Sequence, residues 1–493
     1  MKKESRCPHH QCCRSTVSRR SFLHTGSILA GSMILGGELA LNAAGEPSAP
    51  KFRAHGPATS YRPTIHAAFV RREEEYGMWW PGAVYDGKAA QKKYTREIQT
   101  TAKAIGADLV LREKPIYSEK EADAWIKQAK NQKADGFVVI LLDRQEHSWP
   151  SATKAMDSGI PSIIFSPLGS SFTTNTIKVA NKPNSLIYCS IDDFSQAAFG
   201  MKMLKAKAKM QRARCVVLRG NKRKSQKMAD LGIDLQYIPA STFLDDYRSM
   251  ETTKEMESMA KEYIQQAHDQ REATYDDVVN GIKSYWVAQK ILEREEGDAI
   301  TMDCLGALGK VDISLPCIAW SRMNDDGIPA ACEADHGAVA SHILVHYLFD
   351  RPGFQQDPVA DTTDDTLIGA HCSCATRLNG YDQPSEPFDI VHHHGNRDAV
   401  PRTIWKVGQR ISCVDILPGN KERKSEMLIS AGTVVENIDV PPAGGCVVSV
   451  KAKFDGGQEV LSFPGFHQLF FYGDYKEEMK DFCQLMDIKA TIV

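Results

Sequence analysis

Four side chains in the last third of this 493-residue chain have the types that hold a divalent ion. Glu333 stands in Cys332-Glu333-Ala334-Asp335-His336, where an apolar helical run begins. Asp357 follows 24 residues later in Gln355-Gln356-Asp357-Pro358, His371 lies in Gly369-Ala370-His371-Cys372, and His467 in Phe466-His467-Gln468-Leu469. Two carboxylates with one or two imidazoles make an O/N donor set suited to Mn²⁺, Fe²⁺ or Co²⁺, and less suited to copper or a thiolate zinc site. Taken singly, each residue has a plainer explanation. A glutamate at a helix start is favoured by the helix dipole, and a histidine beside aromatics is usually a satisfied core residue. Spacing alone leaves both readings open.

Other chemistry is less well supported. There is no G-x-x-x-x-G-K-[ST], no G-x-G-x-x-G and no G-x-S-x-G, which points away from dinucleotides and serine hydrolysis and leaves sugars as a reasonable ligand. Asp335, two residues past Glu333, suits second-tier support or helix capping. His342 and His346, one helical turn apart, read as a solvated helix face. His392-His393-His394 reads as a polar loop, and Cys372-Ser373-Cys374 lacks the second cysteine pair that a zinc ribbon needs. Trp79-Trp80 could stack on a sugar face.

These residues need a frame. From Thr64 onward, strand-like and helical runs alternate: strand 65–70, helix 87–105, strand 108–111, helix 119–132, strand 136–142 and an apolar run 161–165. A second set follows: helix 194–209, strand 214–218, a polar helical region through Gln270, helix 278–292 and strand 299–302. It closes with the apolar run 315–319 and a helix after Pro329. Such alternation predicts βαβ units on parallel sheets. After Asp350 the chain turns to short β-rich runs (366–370, 403–407, 411–416, 427–435, 445–453, 465–471), which predict a β-barrel-like domain closed by a helix 475–486. The fold class is α/β: two Rossmann-like parallel domains, 61–184 and 185–348, then a C-terminal β-barrel domain, 349–493.

The first 45 residues belong to another process. Ser18-Arg19-Arg20-Ser21-Phe22-Leu23 opens an apolar, glycine-punctuated run that ends in small residues, the pattern of a twin-arginine export signal. It predicts a periplasmic protein, with 46–60 as linker. This leader holds six basic and two acidic residues, so removing it makes a chain of formal net charge −2 mildly more acidic. Nothing in that balance favours nucleic acid. Thirteen cysteines in an exported chain suggest disulfides. Twin-arginine substrates fold before export, however, and several cysteines sit in apolar runs, so no disulfide framework is expected.

The stretch Pro316–Asp335, with Trp320-Ser-Arg-Met-Asn-Asp-Asp-Gly-Ile-Pro-Ala-Ala-Cys-Glu-Ala-Asp335, together with Leu348-Phe-Asp-Arg-Pro-Gly-Phe-Gln-Gln-Asp357 and Phe466-His-Gln-Leu-Phe-Phe-Tyr-Gly-Asp474, resembles the L-fucose isomerase / L-arabinose isomerase superfamily. The resemblance covers about residues 60–493 and is sharp in 316–374 and 463–490. It implies two Rossmann-like domains before a barrel. It also implies Glu333, Asp357 and His467 as ligands of Mn²⁺ or another divalent ion, and Glu333 and Asp357 as the catalytic proton carriers. His371 matches the arabinose-isomerase Gly-x-His pattern and is the fourth candidate ligand, so fucose-type and arabinose-type features are mixed.

The implied reaction interconverts an aldose and a ketose through a cis-enediol, with a free monosaccharide as substrate. The implied assembly is a homo-oligomer, a trimer or hexamer, in which a neighbour's N-terminal domain helps close the site. Trp79, Trp80, Arg71 and Arg72 are the candidate sugar contacts. A non-catalytic exported sugar binder and an epimerase are the alternatives on the same architecture.

Overall fold

A computed structural model describes residues 52–74, 78–79, 84–167, 169–308, 311, 313–393, 397–439 and 446–493; the leader with its arginine pair lies outside them. The first sheet has five parallel strands in the order Asp108–Leu111, Thr64–Val70, Gly136–Leu141, Ser162–Pro167, Ser185–Ser190. Its central strand, GFVVIL, is buried at every residue, as a parallel strand covered on both faces must be. Helix Gly87–Ile105 starts where Asp86 accepts from the Lys88 and Ala89 amides at 2.9 and 3.1 Å. It turns Tyr94, Ile98 and Ala102, spaced at helical period, into the core. The strand Ser185–Ser190 belongs to this first sheet rather than opening the second unit, as the sequence reading had it. Among the described residues, the only helix between it and the preceding strand is the single turn Thr173–Thr176, so no long amphipathic pattern announces that crossover.

The second sheet runs Ala330–Cys332, Ala299–Met302, Arg214–Leu218, Asp234–Ile238, Lys224–Lys227, all parallel except the exposed edge strand Lys224–Lys227. The "polar helical region" expected before Gln270 therefore contains two strands. Leu235, Tyr237 and Ile238 are buried, but in so short a polar setting their alternation is easily lost. The run Leu315–Ala319 leads into helix Cys317–Asp325, and the helix expected after Pro329 is His336–Phe349, preceded by the short strand Ala330–Cys332. Leu218, Met302 and Cys332 stand in register across three strands.

Six antiparallel strands then close into a barrel: Phe354–Asp361, Thr366–His371, Arg410–Leu417, Glu426–Asn437, Val448–Phe454 and Gln468–Tyr472. Closure through the 410–417/426–437 ladder leaves no free edge among these six. The strands at 354–361 and 388–393 were not expected; glutamines, an aspartate and a proline interrupt the first. Helix His336–Phe349 packs against both the second sheet and the barrel, and all but two of its side chains are buried. That burial corrects the solvated-face reading of His342 and His346. His342 is buried and His346 Nδ1 is hydrogen-bonded to the Tyr381 hydroxyl at 2.8 Å; burial pushes these imidazoles down to about 3 and about 4. The closing helix Lys476–Met486 ties barrel to first sheet, Gln484 Nε2 donating to Ser185 O at 2.6 Å.

Candidate metal centre

Glu333 is the first residue past strand Ala330–Cys332, and both it and Ala334 are left-handed, at φ +62° and +53°. That conformation costs a non-glycine residue roughly 1–2 kcal/mol, and outliers of this kind gather at functional sites. The turn is held by Ala334 N donating to Met302 O at 2.9 Å and by Asp335, whose Oδ1 accepts from Ala338 N at 2.8 Å and so caps the helix. His467 is left-handed too, at φ +56°. It follows Gly465, at φ +98°, where an added Cβ would lie 2.7 Å from Asp415 Oδ2, and Phe466, whose amide donates to that same oxygen at 3.2 Å.

The barrel register brings the other donors in. Gln356 pairs with Gln468 and their side chains are hydrogen-bonded at 2.9 Å, which sets Asp357 opposite His467 one residue beyond the ladder. Asp357 in turn faces Ala370, beside His371. His467 Nε2 lies 3.2 Å from Asp357 Oδ1 and 3.6 Å from Glu333 Oε2, and His371 Nε2 lies 3.8 Å from Glu333 Oε1. Donor atoms of Glu333, His371 and His467 all fall within 4.8 Å of one another. A first-row divalent ion about 2.1 Å from each donor separates two of its donors by roughly 3 to 4 Å.

Two features test whether an ion fits. Asp357 Oδ1 and His467 Nε2 are buried and neither has an aligned hydrogen-bond partner, an expensive arrangement unless something between them is satisfied. The donors are also oxygens and imidazoles, with no thiolate among them, matching a hard-to-borderline ion. The residues fit.

Without an ion the site is electrostatically loaded. Burial pushes the Glu333 carboxyl up; His467 pulls it down, while Asp357, Asp303 and Asp335 push further up. Burial alone would lower His467, but Asp335, accepting from its Nδ1–H at 3.1 Å, and Asp357 raise it to about 10. A carboxylate behind a ligating imidazole fixes its tautomer and ring orientation. Asp335 thus acts on both the helix and the histidine. Sequence reasoning had not singled out Asp303, which follows strand Ala299–Met302, or Asp415, which burial pushes up to about 7; both sit in ordinary loop or strand contexts.

The other candidates lie elsewhere. Arg71 and Arg72 follow strand Thr64–Val70 on the first sheet; Arg71 Nη2 donates to Glu74 O at 3.3 Å and Arg72 binds Asp143 through Nε and Nη2 at 2.8 and 3.2 Å. Trp79 is described only as backbone in the two-residue strand Met78–Trp79, and Trp80 lies outside the described residues. His392 pairs with Asp277 at 3.3 Å on strand Phe388–His393, His393 is buried, and His394 lies outside the described residues. Cys372 and Cys374 are buried thiols.

No protein-family model and no curated protein matches this chain. The geometry of the site therefore carries the functional argument.

Proposed function

We propose that the chain is a metal-dependent aldose–ketose isomerase acting on a monosaccharide through a cis-enediol, with Mn²⁺ or another divalent ion, on two Rossmann-like domains and a barrel. The observation that carries this reading is the meeting of Glu333, His371 and His467 with Asp357, whose buried Oδ1 has no aligned hydrogen-bond partner, at the seam between second sheet and barrel. Isomerisation moves a proton between C2 and C1, which needs a carboxylate on the sugar's edge able both to accept and to release it. Glu333, with its pKa held up by burial and neighbouring carboxylates, and Asp357 take that part. His371 and His467 complete the donor set, and Asp335 keeps Nε2 of His467 turned inward. An ion bound there supplies Lewis-acid stabilisation of negative charge on O1 and O2. The leader and the resemblance to sugar isomerases extend the reading to an exported homo-oligomer.

The test is to load the chain with Mn²⁺, incubate it with aldopentoses, 6-deoxyhexoses and hexoses in D₂O, and follow ketose formation and C2 deuteration by NMR. Ketose formation that Glu333→Gln abolishes supports the isomerase. Deuteration at C2 without ketose makes it an epimerase, and a metal-loaded chain that leaves every sugar unchanged makes it a binder.

A further inference from the structure

The carboxyl edge of the second sheet carries opposite charges at its two ends. Register aligns Cys332, Met302 and Leu218, so the residues that follow, Glu333, Asp303 and Arg219, leave the sheet side by side. Adjacent strands are about 4.8 Å apart, which sets Arg219 roughly 10 Å from Glu333 along this edge. The antiparallel strand Lys224–Lys227 begins at the same edge, with Lys224 opposite Tyr237. Lys224 folds inward: its Nζ lies 4.1 Å from the Tyr237 ring centroid, and the Tyr237 hydroxyl is hydrogen-bonded to His336 Nε2 at 2.9 Å. His336 stands three residues beyond Glu333. Ligands of open α/β sheets bind outside the carboxyl ends of the strands.

Two basic side chains near this sheet are neutralised. Arg223 forms a two-pronged pair with Glu295, both contacts at 2.8 Å, and Arg214 meets Glu296 at 3.2 Å. Arg219, Lys222 and Lys224 have no carboxylate partner among the described residues, although Asp303 follows the strand next to Arg219's. Arg219 and Lys224 are both close enough to His336 to act on its imidazole, whose pKa burial lowers first, which Asp335 raises and which these two cations lower further. Exposed, unneutralised guanidinium and ammonium groups facing one end of a small-molecule site are suited to a phosphate or carboxylate.

We infer that the substrate is an anionic monosaccharide, whose carbonyl end lies at Glu333, Asp357, His371 and His467 and whose phosphate or carboxylate is received by Arg219 and Lys224, with Lys222 beside them. The inference rests on the isomerase reading for the position of the carbonyl end. A terminal phosphate on an extended pentose or hexose stands several ångströms from C1 and C2, comparable to the spacing between the two charge clusters. A neutral sugar leaves the cations unused.

The test uses the full chain, the double variant Arg219→Gln/Lys224→Gln, each of its two single variants, and Lys227→Gln as a control that matches the single variants in charge at the other end of the same exposed strand. Probes are inorganic phosphate, D-ribose 5-phosphate and D-glucuronate, with D-ribose as the neutral comparison, followed by calorimetry at low salt. The expected result is binding of phosphate and at least one anionic sugar that the double variant weakens at least tenfold, that Lys227→Gln leaves within twofold, and that Mn²⁺ affinity does not follow. A preference for ribose 5-phosphate over glucuronate assigns a phosphate; the reverse assigns a carboxylate.

Absence of anion binding, equal binding by the double variant, or an equal loss in Lys227→Gln overturns the inference. So does a double variant that alters only the oligomeric state. Failure of the isomerase reading looks different: variant-sensitive anion binding persists while no aldose becomes a ketose. Conversely, turnover of neutral aldoses with kcat/KM unchanged in the double variant keeps the isomerase and removes the anionic substrate.

Discussion

His467 has a carboxylate near each ring nitrogen: Nδ1–H donates to Asp335 Oδ2 at 3.1 Å, while Nε2 stands, without an aligned hydrogen bond, 3.2 Å from Asp357 Oδ1. The two carboxylates come from different layers. Asp335 begins the helix that leaves the second sheet, and Asp357 lies on a barrel strand. The imidazole therefore joins the two parts of the fold whose seam holds the site. Its left-handed backbone and the Asp415–Phe466 contact aim it there.

Asp335 has two roles that substitution can separate. Serine caps a helix about as well as aspartate but is too short to reach His467. Asp335→Ser is expected to keep the melting temperature of the metal-free chain within a few degrees while weakening Mn²⁺ binding by 10- to 100-fold, the usual cost of removing the partner of a ligating histidine. Asp335→Ala also loses the cap, about 1 kcal/mol. Calorimetric Mn²⁺ titration beside thermal melts of both variants checks this; equal affinities in Asp335→Ser and the parent chain would refute the positioning role.

Glu333→Gln should change sign with the metal. In chelator the substitution removes a half-buried carboxylate that burial and its carboxylate neighbours disfavour, so the melting temperature is expected to be no lower than that of the parent chain. With Mn²⁺ at a hundred times its dissociation constant, the parent gains about 2.7 kcal/mol by mass action, and the variant is expected to lose most of that gain. Paired melts in chelator and in Mn²⁺ measure both.

Much of this frame is legible in the chain itself. Helix Gly87–Ile105 and strands Asp108–Leu111, Arg214–Leu218 and Ala299–Met302 carry their periodicity and end signals locally. The strand Asp234–Ile238 does not, because its alternation of buried Leu235 and Tyr237 is too short to stand out in a polar stretch. The candidate site divides in the same way. The donor types at Glu333, Asp357, His371 and His467 are visible in sequence, but their meeting depends on the Gln356–Gln468 register and on two left-handed turns, and no local pattern specifies either. The Asp335–His467 contact spans 132 residues and is invisible until the barrel closes.

Proton linkage at His467 has a definite sign. Asp335 and Asp357 overcome burial and hold the imidazole at about 10 in the metal-free chain, against about 6.5 when unfolded. A raised pKa stabilises fully below the unfolded value and is lost as pH rises through the folded value. The metal-free chain is therefore expected to lose this contribution between about pH 6.5 and 10. An ion must displace that proton, so Mn²⁺ binding at pH 7.5 should release about one proton and tighten as pH rises. Titration in buffers of different ionisation enthalpy reads the proton count, and a count near zero would place His467 outside the ligand set.

Asp415 gives a second titration of the same sign, beneath the loop that carries His467. Burial pushes its carboxyl up to about 7, partly offset by the Phe466 amide. The raised value means that this group favours the folded chain at low pH and that the benefit disappears as pH rises through 7. Asp415→Asn retains an acceptor for the Phe466 amide and cannot ionise. It is expected to melt higher than the parent at pH 8 and to lose most of that advantage only near about pH 4, the unfolded carboxyl value, with melts in chelator at both values as the check.

Gly337 sets how closely the Asp335 helix can approach the barrel. A Cβ there would lie 2.4 Å from Ile416 O and 3.3 Å from Asp335 Oδ1. One turn on, Ser341 Oγ donates to Gly337 O at 2.9 Å and accepts from Ile416 N at 3.0 Å, so the helix is pinned to this barrel strand. Backbone cannot yield as a flexible side chain can, and overpacking of this kind costs about 1–3 kcal/mol. Gly337→Ala is expected to lower stability by that amount and also to weaken Mn²⁺ binding, because the helix start that bears Asp335 must back away from His467. Ser341→Ala removes a buried hydrogen bond without adding volume and should cost about 1 kcal/mol while leaving Mn²⁺ affinity nearly intact. Equal effects of the two substitutions on Mn²⁺ affinity would show that helix placement does not govern the site.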